Sequence, residues 1–230
     1  MPVVDLDYKK NQKYFKPMSL KPGLVLAAVG LLVLIAGPGA GKVVGLLILA
    51  GGAALIYFQF AGRPTDEEID RAAMGVVRSS QQRAIAKLGL DEDQVKVIDP
   101  LLIDGYVLRN ETVKRGKDGV FRTPRYEGVV LLFSEQQLYS YKLQFSLVED
   151  GRVSEQTDEY FYRDVVSIST ASDSIKVSEV GGGSKTVNLE LFKLTTSGGT
   201  SVTSAIRDEG QVTRSLQGAR QLIREKKSLV

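Results

Sequence analysis

The stretch from Leu24 to Phe60 constrains this chain more than any other. Leu24 to Ala36 carries no charge and no polar side chain; Gly37-Pro38-Gly39-Ala40-Gly41-Lys42 follows; Val43 to Phe60 is again apolar except for Gln59. Two apolar runs around a Pro/Gly turn predict a transmembrane helical hairpin. The first run is short against the ~20 helical residues that a bilayer core needs. It spans if it runs from Leu20 to Gly37 with Lys21 snorkelling to the headgroups; a re-entrant hairpin is the alternative. Small residues recur at packing spacing: Gly23, Ala27 and Gly30 in the first run, then Gly41 with Gly45 and Ala50 with Ala54 in the second. Such spacing lets helix backbones approach closely, within the hairpin or against a partner membrane protein.

Two rival readings fail on chemistry. Gly41-Lys42 resembles the end of a phosphate-binding loop, but Val43 stands where a magnesium-holding hydroxyl is needed, and Ala36 replaces the first glycine. Basic Met1–Lys21 before an apolar run also fits a signal peptide. A cleaved signal, however, is not followed at once by a second apolar run, and cleavage near Ala40 would put Pro38 at a small-residue position. Flanking charge sets the orientation. Lys9, Lys10, Lys13, Lys16 and Lys21 precede the hairpin, Lys42 alone sits in its turn, and Arg63, Arg71 and Arg78 follow. The positive-inside rule then places both termini in the cytoplasm of a bacterial inner membrane or its equivalent.

Cysteine and histidine are both absent. That excludes disulfides, thiolate nucleophiles, Ser-His or Cys-His pairs and His- or Cys-ligated metal sites. The net charge of +3 is spread among interspersed acids and bases, with no basic arm, so nucleic acid is not an expected partner. No Ser-Lys pair stands in an apolar frame, and the reading is of a non-catalytic chain with no cofactor and no metal.

Residues 1–22 form a basic cytoplasmic segment in which Tyr8, Tyr14 and Phe15 read as interfacial anchors, and residues 23–61 form the hairpin. Thr65-Asp66-Glu67-Glu68 is a capping box, and apolar residues from Ile69 to Leu88 fall at helical spacing. This predicts one amphipathic linker helix over 65–89, ended by Gly89. Asp91-Glu92-Asp93 reads as a polar turn, because a calcium loop would require further ligands at set spacing. From Val95 the period changes to two. Expected strands are Leu101–Arg109, Tyr126–Phe133, Gln137–Leu147, Val153–Tyr162, Val165–Thr170, Ile175–Val180, Thr186–Thr195 and Ser201–Ile206, in an antiparallel meander. Asp208–Lys227 returns to helical period, with Val212, Leu216, Ala219, Leu222 and Ile223 on one stripe.

A strand meander closed by one C-terminal helix, with Glu159-Tyr160-Phe161-Tyr162-Arg163-Asp164-Val165-Val166-Ser167-Ile168 at a strand turn, resembles the pleckstrin-homology (PH) superfold, including its bacterial and GRAM-like members. The resemblance covers residues 95–228. It implies an α+β protein: transmembrane hairpin, amphipathic linker helix, then a PH-like antiparallel barrel or bent sheet capped by a helix. Within the turn it implies Phe161, Val165 and Ile168 inside, with Arg163 and Asp164 making the bend. Two spans plus such a domain are also similar, in architecture, to the photosystem I assembly factor family. In lipid-binding PH domains, basic residues gather between the first two strands. The resemblance therefore implies a lipid or partner site at Lys114, Arg115, Lys117, Arg122 and Arg125. The expected function is a non-catalytic integral membrane adaptor, scaffold or accessory subunit presenting a PH-like domain for protein binding. Expected partners are membrane lipids and another membrane protein or a second copy. The alternative is an anionic-lipid sensor using the basic 114–125 loop.

Overall fold

The structure, a computed structural model, describes residues 6–228. The chain divides into two compact units: Lys16–Pro64, and the segment ending at Phe15 together with everything from Thr65 onward.

The smaller unit is a pair of helices, α2 (Lys21–Ala36) and α3 (Ala40–Phe60). α3, with 21 residues and a mean hydropathy of 2.1, is long and apolar enough to cross a membrane. α2 is apolar but has only 16 residues. The two lie antiparallel on a glycine seam. A Cβ added at Gly45 would stand 2.4 Å from the Leu34 nitrogen, and one at Gly52 2.5 Å from the Ala27 nitrogen. Gly30 and Gly23 make the same close approaches from the other side, to Leu49 and Ile56. Of the small residues expected to pack, Gly23, Gly30 and Gly45 lie in this seam, and the Ala27 backbone faces Gly52. Gly41 meets only the Pro38 ring, and Ala50 and Ala54 are exposed. At about 100° per residue, Ala50 and Ala54 lie ~140° and ~180° round the helix from Gly45, whereas Gly52 returns to nearly the same line. Leu32, Leu47 and Phe58 stand outward, so the pair is apolar on its outer surface as well as at its seam.

The larger unit contains α1 (Tyr8–Phe15), α4 (Asp66–Arg78), α5 (Ser80–Leu88), β1 (Leu101–Tyr106), β2 (Thr112–Arg115), β3 (Phe121–Arg122), β4 (Arg125–Phe133), β5 (Gln137–Ser146), β6 (Val153–Phe161), β7 (Val165–Glu179), β8 (Ser184–Thr196), β9 (Ser201–Ala205) and α6 (Glu209–Ser228). It is a mixed α+β fold. One sheet runs β1-β4-β5-β6, all antiparallel; the other runs β3-β2-β7-β8-β9, with β2 joined to β7 in parallel at Thr112–Ser178 and Val113–Glu179.

β4 explains the layering. Its residues are buried on both faces. Val129, Leu131 and Phe133 face one core, shared with Phe192, Leu194 and the α6 stripe Val212, Leu216, Ala219, Leu222 and Ile223. Tyr126, Val130 and Leu132 face a second core, shared with Tyr14, Ile69, Ala73, Val76, Val77 and Ala84. Helices therefore cover the first sheet on the side away from α6. Fully burying an apolar side chain such as Ile69 contributes roughly 1.5–3 kcal/mol, so α4 and α5 belong to the domain rather than linking to it. Where β1 meets β9, Gly105 permits a close approach: a Cβ there would stand 2.8 Å from the Ala205 carbonyl oxygen.

Several expectations are corrected here. The single helix over 65–89 breaks at Ser79, where the Ser79 and Ser80 hydroxyls donate to the Val76 and Val77 carbonyls and compete with the helical ladder. The capping box at its start is present, with Thr65 and Glu68 bonded reciprocally. Tyr14 and Phe15 are buried in the domain core rather than free at an interface. The two strands expected at Val165–Thr170 and Ile175–Val180 are one continuous β7, because the polar Ser/Thr run between them stays paired to β8. In the Tyr160–Asp164 turn it is Tyr162 that is buried, its hydroxyl donating to the Ser134 carbonyl, while Phe161 is half exposed. The basic 114–125 loop contains the β2–β3 hairpin, whose strands are too short to show a period.

Candidate functional site

Arg122 does not belong to an open basic cluster. It is fully buried, and its guanidinium is gripped on two sides: Nε and Nη2 donate to Asp70 at 2.9 and 2.7 Å, Nη1 and Nη2 to Asp118 at 2.9 and 2.6 Å. The Tyr106 hydroxyl donates to the same Asp70 (2.6 Å), and the Tyr14 hydroxyl donates to Asp66 (2.5 Å). The Lys117 backbone N–H reaches the other Asp66 oxygen at 2.7 Å. α1, α4, β1 and the β2–β3 hairpin are thus clasped together. Hydrogen bonds from Arg122 pull the Asp118 carboxyl down to about 2, against the opposing effect of its slight burial. Burial alone would raise Asp70, but the bonds from Arg122 and Tyr106 outweigh it and hold that carboxyl below its usual range. Burial and the bond to Asp66 both raise the Tyr14 phenol, so it stays a donor.

The other expected site residues scatter. The Lys114 ammonium donates to the Tyr14 carbonyl at 2.8 Å and sits 3.4 Å from that ring's centroid. Arg125 donates to Glu111 and Gln144 at 3.1 and 2.7 Å. Arg115 and Lys117 remain exposed. Lys185, distant in sequence, joins them: the Arg115 guanidinium and the Lys185 ammonium lie 5.9 and 5.5 Å from the Phe121 ring centroid, beside exposed Val120. The parallel β2–β7 pairing brings the β7–β8 turn alongside the hairpin. No local pattern announces that contact.

A second surface lies where β7 begins. β7 pairs with β8 along its length, but on its other side only Ser178 and Glu179 have a strand partner. From Ile168 to Lys176 that edge is open. α6 runs beside the start of β7, and between them lies a cleft of about 340 Å³ lined by Val166, Ile168, Ile223, Arg220, Arg224 and Lys227. Val166 is 61% exposed. Arg220 Nε donates to the Ile168 carbonyl at 2.9 Å, holding its guanidinium over the open edge. Among the described residues, Arg220, Arg224 and Lys227 are in no ion pair with a carboxylate. An open strand edge beside an amphipathic helix offers backbone hydrogen bonds to an extended segment, with apolar and cationic side chains to select it.

No protein-family profile, curated protein or solved structure matches this chain.

Proposed function

We propose that this protein is a non-catalytic membrane adaptor or accessory subunit, anchored by the α2–α3 hairpin with both termini cytoplasmic, whose PH-like domain binds another protein. The anchor rests on the length and composition of α3 and on a seam that pairs it with α2; the orientation rests on the lysines that precede the hairpin. The PH-like reading is supported by strand order: without the β2–β3 hairpin, four strands in one sheet are followed by three in the other and by a helix on the shared core. The open edge of β7 beside α6 carries the protein-binding reading. In native membranes, Val166→Lys with Arg224→Glu should weaken association with the co-purifying partner at least about tenfold, as losing hot-spot contacts does. Both residues are exposed, so the fold is unaffected. Unchanged co-purification would refute this reading.

A second reading rests on the Arg115–Phe121–Lys185 cluster, in which an aromatic ring and exposed Val120 sit among cations, as suits an anionic lipid surface. Arg115→Glu with Lys185→Glu is expected to abolish binding of the reconstituted chain to added anionic vesicles, and wild-type binding to fall as salt rises. Binding that ignores both changes eliminates this reading.

A further inference from the structure

The domain has a second open edge. β6 is the last strand of its sheet, hydrogen-bonded to β5 alone, and most of its residues are exposed on both faces. Its character is opposite to that of the β7 edge. Glu155, Asp158 and Glu159 lie along it. Glu155 is paired with Lys87, but Asp158 and Glu159 receive hydrogen bonds from neutral groups, Gln156 and Tyr160 for Asp158 and Gln137 for Glu159. Among the described residues neither is in an ion pair. One molecule therefore presents an open acidic strand and, on its other sheet, an open strand flanked by uncompensated cations.

We infer that the occupant of the β7–α6 cleft is the β6 strand of a second copy of this chain. This inference rests on the protein-binding reading above and names its partner. Backbone pairing of β6 with β7 fills both open edges, and Asp158 and Glu159 come to face Arg220, Arg224 and Lys227. Two copies of β6 facing each other would set carboxylates against carboxylates, which is destabilising. The β7 edge, by contrast, carries few of the usual barriers to strand addition, its charged residues being Asp173, paired with Arg109, and Lys176. From Ser167 to Ser178 it contains no proline, its one register irregularity lies before Ser167, and most of its side chains are small. The contact is heterologous, because the patch on one molecule differs from the patch on the next. Such contacts propagate as open chains unless they close into a ring.

The test uses the full-length chain in detergent micelles, its protein mass followed by light scattering across concentration. The wild type should form a ladder of masses that grows with concentration and shrinks with added salt. Asp158→Lys with Glu159→Lys, and separately Arg224→Glu with Lys227→Glu, should each weaken association about tenfold or more. A chain carrying all four reversals restores complementarity and should recover the ladder. Single-chain mass at every concentration, or a ladder indifferent to the reversals, overturns the inference. If the wild type stays single while the cleft variant still loses a different protein in membranes, self-association falls and the protein-binding reading stands.

Discussion

Replacing Arg122 with methionine should lower the unfolding free energy by about 3–5 kcal/mol, the usual cost of removing one partner from a buried ion pair. The loss follows from what is left behind. Asp70, largely shielded, would keep one phenolic donor and only the weaker field of Arg207. Asp118 is 44% exposed and recovers part of its hydration, which places the expected cost toward the lower end. Urea unfolding in mild detergent measures it, and a change below about 1 kcal/mol would be the range of a surface pair and would refute a clasp. The pH dependence is a second readout. Both carboxyls are depressed in the folded state, so their contribution is full above the ordinary carboxyl value of 3.8 and is lost as pH falls through about 2, where Asp118 protonates. The wild type should lose stability across that window more steeply than Arg122→Met.

Gly45→Leu is expected to separate α2 from α3, whereas Ala54→Leu should be nearly silent. The nearest atoms to a Cβ at Gly45 are backbone: the Leu34 nitrogen at 2.4 Å, its Cα at 2.8 Å and the Gly30 carbonyl at 2.9 Å. Backbone cannot rotate aside as a side chain can. The helices must move apart, at a cost above the 1–3 kcal/mol typical of overpacking a core with extra methylenes. Ala54 faces outward and has room for a larger apolar group. The thermal midpoint of the solubilised chain and protease protection of α2 report the difference. Equal behaviour of the two variants would mean that the glycine seam does not hold the pair.

The sequence carried those features whose signal is local and repeated. The apolar runs, the Thr65–Glu68 box, the α6 stripe and most strands follow from composition and period, and each lies close to its expected bounds. What it concealed depends on distant partners. Arg122 and Arg125 look alike in a basic loop, and nothing nearby reveals that Asp70, on another element, encloses one of them. Lys185 reaches the Phe121 ring only because β2 adds to β7 in parallel, a pairing of very short segments. The glycine seam was half legible. Gly41/Gly45 and Ala50/Ala54 fit a four-residue spacing, but the close contacts repeat every seven residues, at Gly23 and Gly30 and again at Gly45 and Gly52.

The Tyr14–Asp66 hydrogen bond joins positions 52 apart within one folded domain. Everything between Phe15 and Thr65 is thereby a closed loop, its ends fastened without a covalent link. Bringing such ends together costs entropy that grows only as the logarithm of loop length, and folding of the domain meets that cost in advance. α2 and α3 then search for each other at a high effective concentration. The short Gly37-Pro38-Gly39 turn joins the two helices at one end and the domain fastens the chain at the other, so a seam made of glycines, with little side-chain area to bury, has only part of the pairing to supply.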